Sequence, residues 1–64
     1  MKGEEFMSEL EEKIYLHFQT HAQYNFSSDM STKSREIRAI KSLENSGYIS
    51  VKANSIGFVI AEVI

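Results

Sequence analysis

From Ser34 to Ile49 the chain reads Ser-Arg-Glu-Ile-Arg-Ala-Ile-Lys-Ser-Leu-Glu-Asn-Ser-Gly-Tyr-Ile, and few local structures satisfy that run. Ile37, Ile40 and Leu43 recur at helical spacing, with Ala39 and the methylenes of Glu44 beside them. That is the buried stripe of an amphipathic helix. The spacing predicts a helix over about 32–46, with Ser31 as its N-cap. Gly47 stands where a helix ends in a left-handed residue, and Tyr48 is expected to fold back onto Leu43. An apolar strand then follows with no linker between.

The C-terminal segment alternates like a hairpin. A tight turn centred on Asn54-Ser55 pairs Ala53 with Ile56, Val51 with Phe58 and Ile49 with Ile60. That register puts all six side chains on one face. The opposite face then carries Tyr48, Ser50, Lys52, Val59, Ala61 and Val63. Its C-terminal half is apolar, which is unusual for a face turned to water, so Val59, Ala61 and Val63 are expected to join two copies of the chain.

A second periodic segment lies upstream, over about 4–21. Phe6, Met7, Leu10, Ile14, Phe18 and His21 share one stripe, with His17 in its middle. Ser8 and Glu11 form a capping box, so the regular helix can begin at Ser8. Tyr15 and Leu16 fall off the stripe and need another partner. Between the helices, residues 22–31 carry an Asn, Ser and Asp cluster that reads as a loop. Tyr24, Phe26 and Met30 are expected to pin it to the core, with room for one helical turn around Ser28–Met30.

Sixty-four residues make a single domain, 1–64, and a chain this short has little apolar surface to bury. It has no cysteine and no proline, so neither a disulfide nor a thiolate–metal site can reinforce the core. The acidic first residues lack a continuous apolar stretch, and no run is long enough to span a bilayer. A soluble, cytoplasmic protein without a signal peptide or membrane partner is expected.

The net charge is −2, but it is unevenly spread. Residues 1–30 hold two lysines against six carboxylates, a balance of −4, and residues 31–64 hold five cations against three carboxylates, a balance of +2. Four of those five cations, Lys33, Arg35, Arg38 and Lys41, fall within nine residues. One end of the molecule is acidic and one helix carries a basic patch.

Helix, loop, basic helix, glycine and hairpin follow each other as in a winged helix-turn-helix domain. The stretch Ser31 to Lys52 resembles that family's recognition helix and first wing strand. Its features are a polar start, an Arg-x-x-Arg-x-x-Lys register, Leu43-Glu44, then Gly47-Tyr48-Ile49. The ending is similar to the Leu-Glu-x-x-Gly-hydrophobic-Ile pattern of many bacterial members. The resemblance covers roughly the C-terminal two-thirds of the chain. It implies a small α+β fold with an N-terminal helix, a short loop or turn, a basic helix and a C-terminal β-hairpin. It also implies a DNA-binding role in transcription regulation. The family's helix before the recognition helix has only Asn25 to Met30 to form from, so that element must be abbreviated.

With Ile40 at the centre of the buried face, the opposite face presents Ser31, Ser34, Arg35, Arg38, Ser42 and Asn45, with Lys41 on the flank and Lys33 near the start. These side chains suit double-stranded DNA. Arg forks onto guanine O6 and N7, Asn onto adenine N6 and N7, and Ser and Lys bind phosphates. The helix N-terminus adds amide donors for a phosphate. Lys52, near the hairpin tip, is placed to reach a neighbouring one. As a homodimer, two recognition helices would meet successive major grooves. The competing readings are a solvated polar face, or cations paired with the acidic first helix. The second functional class is a winged-helix-like protein-interaction module without DNA, whose hairpin edge or outer face docks a partner.

Other constellations carry less. His17 and His21, at i and i+4, share a face, but His-Phe-Gln-Thr-His lacks the glutamate of the zinc-protease motif, and two ligands do not close a zinc site. They read as histidines at the edge of the core. The hydroxyls of Ser27, Ser28, Ser31, Thr32 and Ser34 have no His or Asp placed to activate them. The glycines are isolated, so no phosphate loop exists. Neither an enzyme nor a cofactor is expected.

Overall fold

The computed structural model describes residues 8–64, so the expected helical turn from Glu4 to Met7 lies outside the described residues. The first helix, α1 (Glu9–Thr20), starts at its capping box. The Ser8 Oγ accepts from the Glu11 N–H at 3.2 Å, and the Glu11 carboxylate accepts from the Ser8 N–H at 2.8 Å. Ile14 and Phe18 are its buried residues.

A three-residue strand, β1 (Gln23–Asn25), follows where a loop was expected. It is extended because it is bonded on one side: Tyr24 pairs with Val59 and Asn25 with Phe58. Residues 26–29 hold no helix, so the abbreviated second helix is replaced by a short loop. Of the three side chains expected to pin this segment, Tyr24 is buried and Phe26 half-buried, but Met30 points to solvent.

The second helix, α2 (Met30–Asn45), begins earlier than its apolar stripe suggested. Asp29, not Ser31, is the N-cap: its carboxylate accepts from the Thr32 N–H and hydroxyl, both at 2.9 Å. Ser31 lies inside the first turn. At the other end Gly47 takes φ 85°. Its N–H reaches Glu44 O at 3.1 Å, and the Tyr48 N–H reaches Leu43 O at 3.0 Å. This is a Schellman stop, which only a residue tolerant of positive φ can make without strain. The Tyr48 ring itself packs edge-on against Tyr15, with centroids 5.6 Å apart, which supplies the partner that Tyr15 required.

Strands β2 (Ile49–Asn54) and β3 (Phe58–Val63) complete an antiparallel sheet in the order β1-β3-β2. The register differs from the one drawn on an Asn54-Ser55 turn. Asn54 pairs with Val59, Ala53 with Ile60, Val51 with Ala61 and Ile49 with Val63, with an irregularity between Val51 and Ala53. Three residues, Ser55 to Gly57, make the tip, closed by Ser55 N–H to Phe58 O at 2.8 Å. The change exchanges the two faces of β3, because side chains alternate along a strand. Val59 is 2% exposed and Ala61 0%, both in the core with Ile14, Leu43 and Ile49. Val63 packs against that core. The homodimer surface expected from Val59, Ala61 and Val63 therefore lies inside the domain. Phe58 and Ile60, expected inside, are half-buried on the sheet's other face.

The result is a small α+β domain in which two helices pack on one face of a three-stranded sheet. It is compatible with a winged-helix-like arrangement. None of the described helices is long and apolar enough to cross a membrane.

Candidate nucleic-acid interface

The orientation of α2 decides what its outer face offers, and a carboxylate fixes that orientation. Glu36 is 4% exposed. Its two oxygens accept from the Tyr24 hydroxyl at 2.5 Å, the Ser27 N–H at 2.9 Å and the Ser27 hydroxyl at 3.3 Å. Every donor comes from β1 or the loop after it, so one side chain ties α2 to the segment that stands where a second helix was expected. Burial, and then the Glu36 carboxylate itself, raise the Tyr24 phenol well above its ordinary pKa. Among the described residues no buried side-chain nitrogen or oxygen is left without a partner.

Seating Glu36 inside turns the helix. Its buried residues are Glu36, Ala39, Ile40 and Leu43. At about 100° per residue, the centre of that set lies roughly 50° from Ile40, toward Ala39. Ile37, expected in the buried stripe, is 42% exposed, and Glu44 is exposed with it. The face directed straight outward is Ser34, Arg38, Lys41 and Asn45, with Ser31 at its edge, and all five are exposed. Lys41 moves from the flank to the centre.

Arg35 and Ser42, expected to face outward, shift toward α1. Together with Arg38 they border an open groove against Ser8, Leu10 and Glu11. The Ser42 hydroxyl, and then the Ser8 N–H, hold the Glu11 carboxyl below its usual pKa. Ser42 thus stands beside Glu11 of α1 and is exposed. Lys33 is half-exposed and lies over the Phe26 ring at 5.9 Å. Lys52 sits at the β2 irregularity, shortly before the hairpin tip, where Ile56 is 85% exposed.

The N-terminus of α2 is not open to a phosphate in the way the sequence suggested. Asp29 occupies it, with its carboxyl held below the usual range first by the Thr32 N–H, then by the Thr32 hydroxyl, and by the Arg35 charge. A carboxylate already seated on the helix dipole repels a second anion.

His17 and His21 stack with ring centroids 4.9 Å apart, and His17 Nε2–H donates to Gln23 O at 2.6 Å. His17 also meets Tyr24 edge-on at 5.1 Å. His17 thus fastens the end of α1 to β1. Among the described residues no group of three or more His, Cys, Asp or Glu gathers in metal-holding proximity.

Sequence reasoning missed Glu36 and Ser27. The signal for Glu36 was present: it lies four residues before Ile40 and seven before Leu43, on their stripe. Nothing local distinguishes Ser27 from its neighbour Ser28. No protein-family model matches the chain, and neither a curated protein nor a solved structure matches it.

Proposed function

We propose that this chain is a small DNA-binding protein, acting in transcription regulation, whose helix α2 lays its outward face against double-stranded DNA. One observation carries the reading. Helix α2 has four cations and two carboxylates, and the core takes one of the carboxylates. With Glu36 turned inward and bonded, Lys33, Arg35, Arg38 and Lys41 share the helix surface with Glu44 alone. A polar outer face is common to many helices, but removing an acid from the surface raises its positive potential where nucleic acid would approach.

The roles follow from position. Arg38 and Asn45 stand on the outward face with the forked groups that read guanine and adenine edges. Ser34 and Lys41 flank them as phosphate ligands, and Lys33, Arg35 and Lys52 add charge at the margins. The amide donors at the start of α2 are left out, because Asp29 fills them. With Val59 and Ala61 in the core, neither serves as a dimer surface in this reading.

Fluorescence anisotropy of a short labelled duplex at low salt tests this. The parent should bind, and Arg38→Ala should weaken binding more than Arg35→Ala, because Arg35 lies farther round the helix from the outward face and its charge is partly met by Asp29. No binding at low salt would overturn the reading and leave a winged-helix-like protein-interaction module in its place.

A further inference from the structure

Between α2 and the hairpin lies a cleft that meets the basic face at Lys41. Ile40 and Val59 form its floor, and Ile37, Val51 and Phe26 its walls. Its volume is about 150 Å³, comparable to a cavity that accommodates a benzene ring. That is room for one large apolar side chain. Ile37 keeps 42% of its surface in water on the cleft wall, and Ile56, 85% exposed, follows Ser55 on the cleft rim. Apolar surface thus runs from the helix across the cleft to the hairpin tip.

The surroundings of the cleft carry charge. Lys41 stands on its rim, and Lys33 lies on the same flank of α2 with its ammonium over Phe26, a wall of the cleft. Among the described residues, Glu44 is the one carboxylate of the rim. A nucleic-acid backbone has no apolar group of the right size to fill such a site. An apolar anchor residue flanked by carboxylates matches it in both shape and charge.

We infer that this cleft is a docking site for a short acidic segment of a partner protein. The segment seats one Phe- or Leu-sized side chain between α2 and the hairpin and lays its carboxylates on Lys33 and Lys41. The site does not depend on DNA binding. Where α2 also meets DNA, the two ligands compete, because both use Lys41.

The test uses the whole chain without DNA. Backbone and methyl NMR shifts are followed while blocked tripeptides are added: acetyl-Glu-Phe-Glu-amide, its Glu-Ala-Glu counterpart and its Lys-Phe-Lys counterpart. The first should give saturable shifts confined to Ile37, Ile40, Val51 and Val59. Replacing the central Phe by Ala should weaken binding about tenfold or more, since the buried ring supplies most of the contact. Replacing the flanking acids by Lys should weaken it about fivefold, the scale of two exposed ion pairs. Ile37→Glu, at an exposed position, should keep the fold and abolish the response. The proposal is overturned if no peptide saturates, or if the Lys-flanked peptide binds as well as the acidic one. Shifts centred on Phe58 and Ile60 would overturn it too. Failure of DNA binding in the anisotropy assay would leave these peptide results unaffected.

Discussion

Replacing Glu36 by Ala removes the acceptor that holds β1 and its following loop against α2. Three hydrogen bonds go with it, at 2.5, 2.9 and 3.3 Å. A bond to a charged acceptor is worth about 1.5–3 kcal/mol net. The Tyr24 hydroxyl is buried and is left without a partner, so its bond counts in full. Ser27 is only partly buried and can turn to water, so its N–H counts for about half and the 3.3 Å hydroxyl contact for little. The loss comes to about 3 kcal/mol, reduced by a few tenths because Ala favours the helix. In a domain of this size that corresponds to a fall in Tm of about 12–24 °C. Glu36→Gln, which keeps the shape and one acceptor oxygen, should lose about half as much. Glu44→Ala, at an exposed site on the same helix, should change stability by less than about 0.5 kcal/mol. Thermal and urea unfolding followed by far-UV circular dichroism gives all three values. A double-mutant cycle with Tyr24→Phe should show coupling of about 1 kcal/mol or more. If Glu36→Ala unfolds like the parent, Glu36 does not anchor the helix, and the reasoning that turns α2 by its buried carboxylate fails.

Gly47→Val should cost about 1–2 kcal/mol, because the Schellman stop needs φ 85° although nothing among the described residues crowds an added Cβ. Gly57→Val, in open space and without positive φ, should stay within about 0.5 kcal/mol in the same melting experiment. Val59→Lys should unfold the domain, since Val59 is 2% exposed, and loss of the folded circular dichroism signal would separate this from a surface role in dimerisation. Glu11 and Asp29 have folded-state pKa values below their unfolded ones, so their contribution is complete above the ordinary carboxylate range and is lost as pH falls through the lower folded values. Acid titration of the Tm should therefore show a fall that Asp29→Asn makes shallower, and a Tm that rises on acidification would contradict it. Tyr24 has the opposite sign: its raised pKa gives stability that is complete below its ordinary value and is lost as pH rises toward the folded one.

The two helices, the start of α1 and the stop of α2 were legible in the sequence because their signals are local. Ser8 and Glu11 announce a capping box three residues apart, and Gly47 announces a helix stop whatever packs around it. The start of α2 was harder, since Ser31 and Asp29 are both good N-caps and only the fold decides between them. Strand pairing was not legible. Asn54-Ser55 is a weak turn signal, and β3 is apolar on both faces, so Phe58 and Ile60 compete with Val59 and Ala61 for the core. The tie is broken at long range: β1 pairs with β3 and brings Tyr24 opposite Val59. That strand is three residues long and gives no periodicity to read. The candidate site was legible in composition but not in aspect. Its cations lie within one helix turn or two of each other, but which of them faces outward depends on Glu36, whose partners lie nine and twelve residues away.

The slope of binding against salt tests the proposed role of α2 most directly. Each phosphate neutralised on duplex DNA contributes about −0.9 to the slope of log K against log salt. With Lys33, Arg35, Arg38, Lys41 and Lys52 as the cations of the interface, the slope should fall between about −2 and −4.5. Arg38→Ala should make it shallower by about 0.9 if that side chain meets a phosphate, or leave the slope and weaken binding at selected sequences if it reads a base. A slope near zero, or one unchanged in slope and affinity on every duplex by Arg38→Ala and Lys41→Ala together, would contradict the account.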